Sequence, residues 1–194
     1  MFAPDLAGFG NNQTMAYPYC LDDYIESVKR YMQDNGIVRP HVVAHSFGSR
    51  IVIKSASQNP DLFDKIVITG GAGLKPKPTI KKTVKRLAFK FLKRFVSKQK
   101  LKGFYSQDYL ALNPVMQQSF IKIVNEHLDG CIDKITNSTL LIYGKKDKQT
   151  PLYMAYKLHD GIKNSKLKIF DAGHFAFIDC PLKFNMEVRE FLLS

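Results

Sequence analysis

Ser46 stands within His41-Val42-Val43-Ala44-His45-Ser46-Phe47-Gly48-Ser49-Arg50, where a short apolar run passes through a sharp turn into a helix-forming stretch. A serine at such a turn is held in a strained backbone conformation, its hydroxyl exposed above the carboxyl end of the strand. Close approach of strand and helix calls for small residues two before and two after the serine. These are Ala44 and Gly48. The segment also reads as an ordinary strand–helix loop, and the turn alone does not decide between the two.

A serine hydroxyl is a poor nucleophile unless a base takes its proton, and the base needs an acid to orient it. The chain has five histidines: His41, His45, His127, His159 and His174. His45 adjoins the serine and is expected to point away across the turn. His41, His127 and His159 fall in a strand, in an inserted cap and late in a helix, and read as packed or solvated residues. His174 differs. It lies in Asp171-Ala172-Gly173-His174-Phe175, directly after the last apolar run, and Asp147 holds the equivalent place in Tyr143-Gly144-Lys145-Lys146-Asp147. All three residues thus follow strand ends on one edge, where open α/β sheets bind ligands.

The elements that must position them follow from periodicity. Asp22 or Asp23 caps a helix running to about Asn35, with Gly36 ending it. Strands are expected at 41–44, 65–69, 139–143 and 167–170. Thr150-Pro151 and Cys180-Pro181 each place proline at a first helical position after the third and fourth strands. Continuous apolar strands with helical crossovers predict a parallel sheet covered on both faces. Residues 71–137 break this pattern. One amphipathic helix is expected over about 79–97 and a second from Asn113-Pro114. The expected organisation is therefore a discontinuous core, 1–70 and 138–194, with an inserted all-helical cap or lid at 71–137.

At this point the chain resembles the α/β-hydrolase fold family, its esterase, lipase and C–C-hydrolase branch. Pro4-Asp5-Leu6-Ala7-Gly8-Phe9-Gly10 resembles the loop after the family's fourth strand, and Ala44-His45-Ser46-Phe47-Gly48 its nucleophile elbow. Leu141–Asp147 with Thr150-Pro151 resembles the acid loop, and Ala172-Gly173-His174-Phe175 with Pro181 the histidine loop. The order serine, aspartate, histidine is that of the family. The resemblance implies a serine hydrolase of carboxylesterase type, with Ser46 as nucleophile, His174 as base and Asp147 as orienting acid. It also implies the Phe47 backbone N–H as an oxyanion-hole donor, a small-molecule ester or acyl substrate, and no cofactor or metal. A serine nucleophile and the lack of tryptophan argue against dehalogenase relatives. Family members carry further strands upstream of the PDLxGFG segment, including a His-Gly turn that supplies a second oxyanion donor. The expectation is of an N-terminally truncated hydrolase with an open sheet edge beside 41–44, prone to self-association.

Composition sets the remaining bounds. At 194 residues and 45% hydrophobic, the chain is long enough for one full domain with a real core. Three cysteines without a CxxC pair argue against a disulfide scaffold or a structural zinc, and no secretory signal opens the sequence, which favours a cytoplasmic protein. Gly70-Gly71-Ala72-Gly73 faintly resembles a dinucleotide loop, but Lys75-Pro76-Lys77-Pro78 follows where a helix would begin. Net charge is +12, yet 12 basic residues and no acidic one fall between Lys75 and Lys102, so the remainder is neutral. A nucleic-acid binder spreads its charge over a face or carries a reader motif, and none is expected here. The basic 79–97 segment supports peripheral contact with an anionic membrane. The alternative reading is thus a catalytically weak or inactive remnant whose basic helix binds an anionic surface.

Overall fold

Apolar runs between polar turns build the sheet. The computed structural model describes residues 1–78 and 107–194. The strands are β1 (Val42–His45), β2 (Ile66–Thr69), β3 (Thr139–Gly144) and β4 (Ser165–Phe170), parallel throughout and in the order β1-β2-β3-β4. Every residue of β2 and β3 is buried, as befits strands covered on both faces. On one face Val67, Leu140, Ile142 and Phe170 form a core with Phe184 and Phe191 of the last helix. Alternate residues Ile66, Ile68, Leu141 and Tyr143 point to the other face.

Among the described residues the α-helices are α1 (Leu21–Asp34), α2 (Phe47–Gln58), α3 (Gln107–Ala111), α4 (Pro114–Asn125), α5 (Leu152–Gly161), α6 (Ala176–Asp179) and α7 (Pro181–Leu193). Gly36 follows α1 in the left-handed conformation expected of a helix-ending glycine. Pro181 occupies the first position of α7 as predicted. Pro151 does not do so for α5. Its ψ of 157° is extended and the helix starts one residue later, because the Gln149 and Thr150 amides turn back onto Asp147.

The chain divides into two compact units, 21–74 with 126–194, and 1–20 with 75–125. These boundaries differ from the expected insert at 71–137. In the sheet unit, 126–137 bury Leu128, Ile132 and Ile135, and Leu128 N–H bonds the Gly73 carbonyl at 2.9 Å. Arg50 donates to the Glu126 carbonyl at 3.0 Å, and Lys54 pairs with both Asp22 and Glu126. In the second unit, α4 is tied to the N-terminal segment. Tyr19 N–H donates to Ser119 Oγ at 2.9 Å and Lys122 Nζ to the Pro18 carbonyl at 2.7 Å. Within 1–20, Asp5 accepts from Asn11 N–H and Gly8 N–H bonds the Asn12 carbonyl, closing the PDLxGFG segment into a tight loop. The expected 79–97 helix lies outside the described residues. Among the described residues no helix is long and apolar enough to cross a membrane.

Candidate active site

β1 delivers Ser46 and α2 leads away from it. The serine has φ 47° and ψ −108°, a left-handed value that a side chain with a Cβ rarely adopts. A non-glycine residue held there is strained, and such strain collects at functional sites. Its surroundings lock the turn. Ser46 N–H bonds the Thr69 carbonyl at 3.1 Å, and Ser49 Oγ donates to the Ser46 carbonyl while accepting from Ala72 N–H. A Cβ placed on Gly48 would lie 3.8 Å from that of Ala44, an ordinary contact. One methyl on each side of the turn therefore fits, and alanine at 44 serves as well as glycine.

Asp147 is brought in by the turn after β3. It is 6% exposed, and buried carboxylates need donors. Oδ1 accepts from the backbone N–H of Gln149 at 2.7 Å and of Thr150 at 2.9 Å, while Oδ2 accepts from Thr150 Oγ1 at 2.6 Å. Burial alone would push this carboxyl up. The Thr150 hydroxyl, His174 and the two amides outweigh burial and hold it below its ordinary value.

His174 completes the set from the loop after β4. Its Nδ1 lies 2.7 Å from Asp147 Oδ2 and its Nε2 lies 3.0 Å from Ser46 Oγ. An ionised carboxylate only accepts, so Nδ1 carries the proton and Nε2 presents its lone pair to the serine hydroxyl. The three residues singled out in the sequence thus meet in one constellation. Phe47 opens α2 directly beside Ser46, at the helix end toward which amides point.

Several supporting residues escape a reading for nucleophile, base and acid. Thr150 is one, although an aspartate followed two and three residues later by turn amides is a recognisable local pattern. Asp179 is another, accepting from Gly173 N–H at 2.7 Å beside the histidine. Gly70 and Gly71 are part of the stretch that resembled a dinucleotide loop. They serve the site instead: a Cβ on Gly70, at φ 52°, would sit 3.1 Å from the His174 ring, and one on Gly71 would crowd the Tyr143 hydroxyl. That hydroxyl is buried and donates to the Gly71 carbonyl at 2.9 Å, and burial raises its pKa. Among the described residues no group of three or more metal-ligating side chains converges.

Residues 1–97, half of the chain, match the family model described as alpha/beta hydrolase fold. The chain belongs to the α/β-hydrolase fold family. It is 23% identical over 99% of its length to a 2-hydroxymuconate semialdehyde hydrolase of Pseudomonas putida, spanning 76% of that protein. Among solved structures, an esterase from Exiguobacterium antarcticum matches with a TM-score of 0.76 and 23% identity, over 98% of this chain and 80% of that one. A meta-cleavage product hydrolase from Pseudomonas fluorescens IP01 matches with a TM-score of 0.71 and 24% identity, over 98% and 78%. The relatives are hydrolases, and at these identities the structural likeness carries the fold alone.

Proposed function

We propose that this α/β-hydrolase acts as a serine hydrolase on a carboxylic ester or related acyl bond. One observation carries the reading: Ser46, strained at φ 47°, has its Oγ 3.0 Å from a histidine nitrogen whose opposite nitrogen lies 2.7 Å from a buried carboxylate. Ser46 Oγ attacks the acyl carbon as its proton passes to His174 Nε2. The tetrahedral oxyanion is met by the Phe47 N–H. His174 then gives the proton to the departing alkoxide, leaving an acyl-Ser46. Water attacks that ester with its proton going to Nε2, the Ser46 oxygen departs and regains the proton, and the carboxylic acid leaves. Asp147 keeps Nδ1 protonated and stabilises the imidazolium that forms twice per cycle. A relative named a semialdehyde hydrolase supports hydrolysis without choosing the bond or the substrate.

A fluorophosphonate probe tests this directly. The wild-type chain is expected to be labelled, and Ser46→Ala to remain unlabelled while keeping its circular dichroism. Asp147→Asn should fold normally and lose turnover of a nitrophenyl ester by orders of magnitude, since it favours the wrong imidazole tautomer. Unlabelled folded wild type, or labelling that survives in Ser46→Ala, overturns the reading.

A further inference from the structure

His45 directly precedes the candidate nucleophile and plays no part in the proton relay just described. Its ring is nevertheless turned onto the residue that does. The ring centroids of His45 and His174 are 4.6 Å apart, and Phe175 and Phe177 enclose His45 at 5.2 and 5.1 Å. His45 Nε2 lies 3.1 Å from the main-chain carbonyl oxygen of His174. A carbonyl only accepts, so Nε2 carries a proton and donates it. The side chain, expected from the sequence to point away across the turn, reaches the histidine loop.

That loop needs outside support. Residues 171–175 belong to no helix or strand, so their main-chain groups have no ladder to hold them. Lys146 N–H donates to the Ala172 carbonyl at 2.9 Å, the Phe175 carbonyl accepts from α6, and contacts from side chains hold what lies between. Asp179 accepts from Gly173 N–H, Asp147 holds the His174 imidazole at Nδ1, and His45 holds the His174 carbonyl. Asp147 fixes one end of the ring, and the main chain is pinned before His174 at Ala172 and Gly173, which leaves the His174 carbonyl itself to be held. His45 fixes the main chain from the residue bonded to Ser46, so the base and nucleophile are referenced to the same short segment of β1.

We propose that His45 is a positioning residue for acyl transfer, its Nε2–H and ring face setting the His174 loop so that the His174 imidazole meets the Ser46 hydroxyl. The inference rests on the serine-hydrolase reading. The neutral imidazole suits the task, because a second cation against the His174 ring would oppose the imidazolium formed during turnover. Burial and the proximity of His174 lower the pKa of His45 against the opposing effects of the carbonyl bond and of Asp147. Small displacements matter at such a site, where about 1 Å of misplacement can cost on the order of 100-fold in rate.

Two substitutions separate donor from bulk. His45→Gln carries an amide N–H that reaches the Nε2 position, whereas His45→Phe keeps the ring area and lacks the donor. With the fluorophosphonate probe and a nitrophenyl ester, His45→Phe is expected to lower the labelling rate and kcat about tenfold or more, with KM little changed. His45→Gln is expected to recover most of that loss. Thermal unfolding of both variants is expected to stay close to wild type, so a merely structural role would not reproduce the split. Equal rates for wild type and His45→Phe, or a His45→Gln variant as slow as His45→Phe with both folded, overturn the proposal.

A wild-type chain that takes no label would count against the serine-hydrolase reading, and a second measurement then still judges His45. Nitrogen-15 spectra of the His174 imidazole are expected to shift or broaden in His45→Phe and to stay near wild type in His45→Gln. An unchanged His174 signal in His45→Phe overturns the positioning role whatever the activity.

Discussion

At Asp147, burial favours the neutral acid while the Thr150 hydroxyl, His174 and two backbone amides favour the carboxylate, and the donors prevail. A carboxyl held below its ordinary pKa contributes stability that is present above the unfolded value and is lost as pH falls through the folded one. Thr150→Val removes the 2.6 Å hydroxyl donor and keeps the side-chain shape. A hydrogen bond to a charged group contributes about 1.5–3 kcal/mol, so the variant should unfold at lower urea at pH 7 by roughly that amount. The gap should narrow in acid, as pH falls below the ordinary carboxylate range and Asp147 protonates. Equal gaps at pH 7 and in acid would show that Thr150 does not act through the carboxylate. At this scale Ser46, Asp147 and His174 were legible as a set, because a serine, an aspartate and a histidine after the ends of β1, β3 and β4 form a pattern of residue types. Thr150, Asp179 and Gly70 were not, since each acts by occupying or clearing a place whose neighbours the sequence does not reveal. His45 lay between the two cases, visible as the serine's neighbour but with its partner 129 residues away.

At the scale of elements, β2 and β3 were legible because they are buried on both faces and read as unbroken apolar runs. The start of β4 was not. The ladder to β3 begins at the pair Ser165↔Thr139, two residues before the expected Leu167, because polar Ser165 and exposed Lys166 precede the apolar run. The close approach of the β3 end to the histidine loop was equally hidden. A Cβ on Gly144 would run into the main-chain carbonyls of Ala172 and Gly173. Those carbonyls cannot rotate aside as a side chain would. The Ala172 oxygen already accepts from Lys146 N–H at 2.9 Å. Gly144→Ala should therefore cost about 1–3 kcal/mol as an overpacked site. It should also slow labelling of Ser46, since the displaced loop carries His174. Urea unfolding and the labelling rate check both parts. Wild-type values for both would mean the loop yields without moving the histidine.

Across the whole molecule, charge and sheet edge pull in opposite directions. Val42 and Ser46 donate their amides to β2, to the carbonyls of Lys65 and Thr69. In a parallel ladder successive residues alternate sides, so the Val43 and His45 main-chain groups face outward from the sheet. Among the described residues no strand pairs with that side of β1. The Val43 side chain is 51% exposed, and with Phe177, Phe184 and Asn185 it lines a groove of about 400 Å³. Open, apolar edges invite another chain. Opposing this, a net charge of +12 makes copies repel. Salt shortens the reach of that repulsion to ~3 Å at 1 M while leaving apolar contact intact. Self-association at micromolar concentration is therefore expected to grow with salt, the reverse of an assembly held by ion pairs. Val43→Lys places a charge on the edge itself, where close contact between copies would desolvate it, and should keep the protein monomeric at both low and high salt. Sedimentation velocity of the two proteins reads this out. Association of the lysine variant equal to wild type at high salt would move the contact away from β1.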